Sequence, residues 1–227
     1  MAPGNRAMIE TQIIIEPFGL RGTLVWPEPA NALIVFAHGS GSSRRSPRNV
    51  QVARALNARS MATFLFDLLT AEEERDRRNV FDIPLLAGRL VSAIRWLDDE
   101  QETGGLRLGV FGASTGAAAA LIAAARLGER AEAVVSRGGR PDLAMADLPK
   151  VRAATLLIVG GADAPVMELN EEAFDGLPKP KALKIVPAAT HLFEEPGALE
   201  QVIEHAAEWF SSAILGPSPP STPRGKF

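Results

Sequence analysis

Cysteine is absent from the 227-residue chain. Disulfide bonds, thiolate nucleophiles and zinc sites built on sulfur ligands are therefore excluded. Histidine is scarce, with three residues, so a reaction that needs an imidazole base has few candidates to choose from.

Long apolar runs are also missing. No stretch approaches the roughly 18 consecutive apolar residues of a membrane-spanning helix, and the start of the chain lacks the basic and apolar regions of a secretory signal. We therefore expect a cytoplasmic protein without a membrane partner. A strong excess of one charge is missing too, since 24 basic and 27 acidic residues leave a net charge of −3. Because the two signs are interspersed, we expect no nucleic-acid partner.

The composition is that of an ordinary globular protein, with 46% hydrophobic and 22% charged residues. Its length fits one domain with a single core. We predict this domain over residues 1–215, followed by a flexible tail over 216–227. The tail, GPSPPSTPRGKF, holds too little apolar surface to repay the entropy of ordering.

Eight short runs rich in Val, Ile, Leu and Phe predict strands. From the third run onward, helical patterns fill the gaps between strands. This alternation predicts an α/β fold: a mostly parallel, twisted sheet of about eight strands with helices on both faces. The first two strands are expected to form an antiparallel hairpin at one edge. The eight runs are 11–17, 22–27, 32–38, 62–67, 106–112, 132–136, 155–161 and 182–187.

A serine between two glycines stands where the fifth strand must become a helix, in VFGASTGAAAAL at 110–121. A sharp turn at Ser114 would crowd any side chain two residues away, and Gly112 and Gly116 remove that crowding. Such an elbow exposes the serine hydroxyl above the sheet. We therefore predict Ser114 as a nucleophile.

A serine nucleophile needs an imidazole base and a carboxylate that orients it. His191 follows the last strand and is the predicted base, whereas His38 is interpreted as a structural residue and His205 as a surface residue. Asp163 directly follows the seventh strand and is the predicted acid, with Asp142 as the rival carboxylate. The order serine, acid, histidine along the chain is that of the α/β-hydrolase triad.

An oxyanion hole needs two backbone amides. The amide of Thr115 begins the helix after the nucleophile, and the glycine-rich loop HGSGSS at 38–43 offers a second donor. The amide of Ser40 is the first choice for that donor and the amide of Gly41 the next.

Arginines cluster near the same strand ends. Arg137 and Arg140 follow the sixth strand, and Arg44 or Arg45 follows the glycine-rich loop. These side chains are candidates to hold a carboxylate or phosphate of a substrate by bidentate hydrogen bonds. The alternative is that they pair with local carboxylates such as Asp142 and brace the loops.

The site is expected to be open. About 18 residues separate the sixth and seventh strands, which is too few for a cap of several helices. The segment 71–84 and the side chains of the SSRRSPRN stretch are therefore the candidate covers.

Five motifs together resemble the α/β-hydrolases of the dienelactone hydrolase-like group, a kind also found beside phosphoribosyltransferase domains. The resemblance runs from about residue 12 to about residue 212, and it implies an α/β-hydrolase fold without a large cap. The motifs are HGSGSSRRSPRN, FGASTGAAAAL, VVSRGGRPDL, LLIVGGADAPV and PAATHLFEEPG.

The resemblance implies that Ser114, Asp163 and His191 act on small ester bonds without a metal or organic cofactor. Dienelactone hydrolases proper carry a cysteine nucleophile, so the serine here favours a general carboxylic-ester hydrolase working through an acyl-enzyme. Acyl transfer, perhydrolysis and lactone hydrolysis on the same site are alternatives, as is a non-catalytic binding or regulatory module. A homo-oligomer and a functional link to a phosphoribosyltransferase are also open.

Overall fold

A computed structural model describes residues 7–216, so nearly all of the predicted tail over 216–227 lies outside the described residues. One sheet of eight strands runs through the described chain in the order β1-β2-β4-β3-β5-β6-β7-β8. The strands are β1 Met8–Ile15, β2 Leu20–Pro27, β3 Ala32–Ala37, β4 Met61–Phe66, β5 Arg107–Ala113, β6 Ala131–Arg137, β7 Ala154–Gly160 and β8 Lys181–Val186.

The sheet is parallel except at one edge. β1 and β2 form an antiparallel hairpin, and β2 also runs antiparallel to β4. All remaining neighbours are parallel. The predicted α/β architecture and its edge hairpin are therefore confirmed.

Helices fill the connections between the parallel strands. They are α1 Pro47–Ala58, α2 Arg77–Val80, α3 Ile83–Asp99, α4 Thr115–Leu127, α5 Ala164–Gly176 and α6 Ala198–Leu215. Short 3-10 turns occur at Glu73–Arg75, Gly128–Arg130, Pro141–Ala144 and Leu148–Lys150.

The core has two layers because successive strand side chains point to opposite faces of the sheet. Leu33 and Val35 of β3 pack in the layer under α3 and α4. Ile34 and Phe36 pack in the layer under α1 and α6. Parallel strands covered on both faces become apolar at every position, and all six residues of β3 are indeed buried.

The connection between β6 and β7 holds two of the 3-10 turns and no separate cap domain. The carboxyl ends of the parallel strands therefore open onto a cleft, as the short connection predicts. Among residues 7–216, no helix combines the length and the apolar character needed to cross a membrane.

Candidate active site

Ser114 forms the corner between β5 and α4, with φ of 52° and ψ of −124°. A positive φ is unfavourable for a residue with a side chain and persists only when the surroundings impose it. Here the Ser114 N–H donates to the Arg137 carbonyl at 3.2 Å, while its own carbonyl accepts from the amides of Ala117 at 3.0 Å and Arg140 at 3.1 Å. The neighbouring strand and the helix thus hold the corner from both sides.

The two glycines of the elbow are needed for space. A Cβ at Gly112 would lie 2.4 Å from the Cα of Ala117, and a Cβ at Gly116 would lie 2.3 Å from the Ala37 carbonyl oxygen. The crowding predicted from the sequence therefore comes from α4 in one case and from the end of β3 in the other.

The structure brings Ser114, His191 and Asp163 together at the carboxyl ends of β5, β7 and β8. His191 Nδ1 lies 2.7 Å from Asp163 Oδ2, and Nε2 lies 3.3 Å from Ser114 Oγ. These partners assign the proton to Nδ1, which donates to the carboxylate, and leave Nε2 to accept from the serine hydroxyl. Asp163 precedes α5 but makes no capping bond with its side chain, so its carboxylate is directed to the imidazole.

The rival acid has a different partner. Asp142 accepts two hydrogen bonds from the Arg140 guanidinium, at 2.8 and 2.7 Å. This bidentate pair lies within one 3-10 turn, and Asp142 makes no hydrogen bond with His191.

His38 is a buried structural residue, as the sequence interpretation has it. Its Nδ1 donates to the Gly39 carbonyl at 3.0 Å, and its Nε2 accepts from the Leu68 amide at 3.1 Å. Burial lowers the pKa of His38 and keeps the ring neutral, since the charged form would lose its hydration. The ring thereby ties the glycine-rich loop to the segment after β4. His205 lies in α6 and does not line the cleft.

The two predicted oxyanion donors lie close together, but only one of them lacks a hydrogen-bond acceptor within the described part of the chain. The Thr115 amide is the first of α4 and has no partner inside the helix. The Ser40 amide donates to the Thr115 hydroxyl at 2.9 Å. A Cβ at Gly39 would lie 2.9 Å from the Cβ of Ser114, so the loop passes directly beside Ser114 and only glycine allows that approach.

A cavity of about 950 Å³ surrounds Ser114 and His191. Its lining includes the glycine-rich loop and part of the segment 74–81, with the exposed Phe81. The charged residues that line it are four arginines and one glutamate: Arg45, Arg48, Arg77, Arg137 and Glu74. The cavity therefore carries an excess of positive charge, although the net charge of the whole chain is negative.

Two of the predicted substrate-binding arginines do not face this cavity, which differs from the sequence-based expectation. Arg44 forms an ion pair with Asp67, whose carboxylate also accepts from the Arg44 amide at 2.9 Å. Arg140 is bound by Asp142. Both side chains brace loops, the alternative that the sequence left open.

Arg137 is the exception. Arg137 is 7% exposed, and its Nε and Nη1 are buried with no hydrogen-bond partner in the described chain. The guanidinium carbon lies 5.9 Å from the centre of the Phe193 ring. Burial, and next the positive charge of Arg48, lower the pKa of Arg137 to about 10, so the group stays charged at neutral pH.

Sequence reasoning named the stretches that contain Arg48 and Arg77 as candidate covers of the site, but it named neither residue as a substrate-binding arginine. Arg48 lies in the first turn of α1 and Arg77 in α2, and both line the cavity. No local pattern in the sequence marks either residue. Within residues 7–216, no cluster of three or more histidines and carboxylates is arranged to hold a metal ion.

Comparison with known proteins agrees with this architecture. Residues 30–214 match the family model described as an alpha/beta hydrolase domain. A crystal structure of dienelactone hydrolase from Anabaena variabilis is 52% identical, with a TM-score of 0.88, and the match covers 92% of this chain and 99% of that chain.

More distant structures share the fold alone. Est1E from Butyrivibrio proteoclasticus is 15% identical with a TM-score of 0.77, over 91% of this chain and 99% of that chain. Carboxyl esterase 2 from Tuber melanosporum is 19% identical with a TM-score of 0.72, over 94% of this chain and 89% of that chain.

Two proteins from Mycobacterium tuberculosis strains CDC 1551 and H37Rv are 55% identical over 210 residues, and their names describe them provisionally as phosphoribosyl transferases. The match covers 92% of this chain but 47% of those proteins, so the chain spans about half of their length. The family model and the structural relatives support a hydrolase. The chain belongs to the α/β-hydrolase family, in its dienelactone hydrolase-like group.

Proposed function

We propose that this protein is a serine hydrolase that cleaves small carboxylic esters through an acyl-enzyme intermediate. The observation that carries the proposal is the hydrogen-bonded series from Ser114 Oγ through His191 to Asp163, with distances of 3.3 and 2.7 Å. The distance of 3.3 Å is long for a hydrogen bond to a hydroxyl, but such contacts tighten when substrate binds.

The reaction has two stages on the same residues. In the first, Ser114 Oγ attacks the ester carbonyl while His191 Nε2 takes the hydroxyl proton, and the alcohol leaves with that proton as the acyl-serine forms. In the second, His191 takes a proton from water, the hydroxide attacks the acyl carbon, and the acid leaves as the proton returns to Ser114. Asp163 holds Nδ1–H throughout and stabilises the imidazolium that forms in each stage.

The oxyanion of each tetrahedral intermediate needs donors that are already in place. The free Thr115 amide is one. The second is the Ser40 amide, which reaches the substrate oxygen when the Thr115 hydroxyl that now accepts its hydrogen bond turns aside. This exchange replaces one acceptor by another that carries more negative charge, so it is favourable as the oxyanion develops.

The test is labelling with a fluorophosphonate followed by peptide mass mapping, together with hydrolysis of short-chain esters. We expect the label on Ser114, and the Ser114→Ala protein should neither be labelled nor hydrolyse esters. The Ser212→Ala protein is the matched control, because Ser212 is exposed on α6 and donates to the Trp209 carbonyl. A label on another residue, or none at all, would contradict this mechanism, and the absence of both labelling and hydrolysis would favour the alternative of a non-catalytic binding or regulatory module.

Lactone hydrolysis is the second candidate for the same site. It is favoured by the 52% identity to a protein described as dienelactone hydrolase, although the nucleophile predicted here is a serine. Comparing kcat/KM for a lactone with that for the open-chain ester of equal size separates the two. Acyl transfer and perhydrolysis are measured in the same assay, as product partitioning when an alcohol or peroxide competes with water.

We also propose a functional link to a phosphoribosyl transferase, since the 55% identical mycobacterial proteins bear that name and extend well beyond the matched region. The full-length mycobacterial protein should then hydrolyse the same esters and be labelled by the same fluorophosphonate. If it does neither, the link has no support. The cytoplasmic location and the oligomeric state stay predictions from the sequence.

A further inference from the structure

Arg137 is a buried cation without a counter-ion among the described residues. Its guanidinium makes no hydrogen bond or ion pair there, and two of its three nitrogens are inaccessible to solvent. Buried arginines are ordinarily paired, because an uncompensated buried charge is strongly destabilising. A group held in this way beside a nucleophile is a candidate for binding a ligand rather than for supporting the fold.

A second arginine, Arg48, adds charge repulsion to the cost of burying Arg137. Arg48 lines the same cavity and is near enough for its charge to oppose that of Arg137. Its Nη1 donates to Glu194 at 2.9 Å, but its Nε is buried without a partner. The carboxylate of Glu194 is largely exposed, so it compensates the pair of guanidinium groups only weakly.

The other charged residues of the cavity do not compensate the positive charge of Arg137 and Arg48. Glu74 is the carboxylate that lines the cavity in the described chain, whereas Arg45 and Arg77 add further positive charge. The cation–π distance of 5.9 Å between Arg137 and Phe193 is at the limit of such contacts and offsets little. A compact anion bound at the remaining nitrogen, Nη2, would give the guanidinium a hydrogen-bond partner and relieve the repulsion at the same time.

We propose that Arg137 and Arg48 form an anion subsite of the active-site cavity, and that the natural substrate is a small ester carrying a carboxylate or phosphate group. A guanidinium offers paired N–H donors that match the spacing of carboxylate and phosphate oxygens. The proposal rests on the proposed ester hydrolysis, because the anion is the handle by which the substrate is held while Ser114 attacks its carbonyl.

The subsite is tested with substrates that differ in charge and little in shape. Monomethyl succinate carries a carboxylate, and methyl succinamate is its neutral counterpart; methyl phosphonopropanoate supplies the phosphate-like arm. We expect the wild type to have a higher kcat/KM for the anionic esters, mainly through KM. The preferred anionic ester identifies which of the two groups the subsite takes.

Arg137→Gln should lower the ratio of anionic to neutral kcat/KM by about tenfold or more, in line with the loss of hydrogen bonds to a charged group. Arg137→Lys keeps the charge but loses the planar fork of N–H donors. Its ratio of anionic to neutral kcat/KM should therefore lie between those of the wild type and Arg137→Gln. Arg95→Gln is the control, since Arg95 is exposed on α3 and makes no ion pair in the described chain. It should leave the ratio unchanged.

A binding measurement separates failure of the subsite from failure of the proposed reaction. Inorganic phosphate and succinate are titrated into the Ser114→Ala protein by calorimetry, with and without Arg137→Gln. Binding that depends on Arg137 supports the subsite even if no ester is hydrolysed. If esters are hydrolysed but neither the ratio nor anion binding depends on Arg137, the proposal is overturned. Should Arg137→Gln fail to fold, as judged by circular dichroism, Arg48→Gln is used in the same assays. Anion binding or a substrate ratio that depends on Arg48 then supports the subsite, and independence of both from Arg48 overturns it.

Discussion

Replacing Arg137 by methionine should stabilise the fold, although it removes a buried side chain. Methionine fills much of the same space with an apolar, flexible chain. It removes a guanidinium whose Nε and Nη1 have no partner in the described chain. The change therefore tests whether the charge is an uncompensated cost to the folded protein.

The magnitude follows from the pKa of Arg137, which burial and the neighbouring Arg48 lower to about 10. An unfolded arginine has a pKa more than two pH units higher, and each pH unit corresponds to about 1.4 kcal/mol, so the charged form costs the folded state about 3 kcal/mol at neutral pH. Because the folded pKa is the lower one, this cost is fully present below pH 10 and disappears as the pH rises from there toward the unfolded value.

Two losses reduce the expected gain. The contact between Arg137 and Phe193 is worth about 0.5 kcal/mol, and the smaller methionine leaves some unfilled volume, at about 1 kcal/mol. The net stabilisation is then about 1 to 2 kcal/mol. For a domain of this size, such a gain raises the melting temperature by about 2 to 8 °C.

The assay is thermal and urea unfolding followed by circular dichroism at pH 7, in a buffer without phosphate or carboxylate. Arg95→Met is the control for the loss of one positive charge and should shift the melting temperature little. Added phosphate should raise the melting temperature of the wild type and leave that of Arg137→Met unchanged. A fall in the melting temperature of Arg137→Met, of the size usual for a damaged core, would refute the idea that this guanidinium is uncompensated.

Four further changes test the rest of the site. Asp163→Asn should lower kcat by roughly 10³- to 10⁴-fold in steady-state ester hydrolysis, because the amide no longer stabilises the imidazolium. Thr115→Val should lower kcat about 2- to 10-fold while Thr115→Ser retains it, because the hydroxyl anchors the glycine-rich loop through one hydrogen bond. Glu194→Gln should lower KM for the anionic esters, because Arg48 loses its exposed carboxylate partner. Gly116→Ala should reduce the unfolding free energy in urea by more than about 1 kcal/mol, because the added Cβ meets the backbone of β3.

Each of these expectations has a contrary result. A kcat for Asp163→Asn within tenfold of the wild type would remove the carboxylate from the mechanism. Faster turnover in Thr115→Val would mean that displacing the hydroxyl from the Ser40 amide costs more than its positioning of the loop contributes. An unchanged KM in Glu194→Gln would show that Arg48 is not free to bind anions, and an unaltered stability of Gly116→Ala would mean that the elbow yields to a methyl group.

The fold and the elbow could be predicted because their signals are local in the sequence. The eight strands appear as runs of apolar residues between turn residues, and all eight are present. Ser114 is marked by its glycine neighbours, whose positions reflect contacts of 2.4 and 2.3 Å that any other residue would make with the backbone. Asp163 and His191 follow strands, and parallel strands bring their carboxyl ends to one edge.

The charge of the cavity could not be predicted in this way. Whether an arginine is free or paired depends on partners that are remote in the sequence. Arg44 pairs with Asp67, which is 23 residues away in the sequence, and Arg48 pairs with Glu194, which is 146 residues away. No periodicity in the sequence indicates either pair. The absence of a partner for Arg137 is harder still to foresee, because it depends on every side chain that surrounds the end of β6.

The two groups of residues therefore serve the proposed function in different ways. Ser114, Asp163 and His191 sit where the backbone of any such sheet must bring strand ends together, so they account for the reaction but not for the choice of substrate. Arg137 holds a buried, unpaired guanidinium, which we expect to cost stability that replacement by an apolar residue would restore. A feature that weakens the fold is retained in active sites where function needs it, and the function we propose for this cavity is the binding of a negative charge.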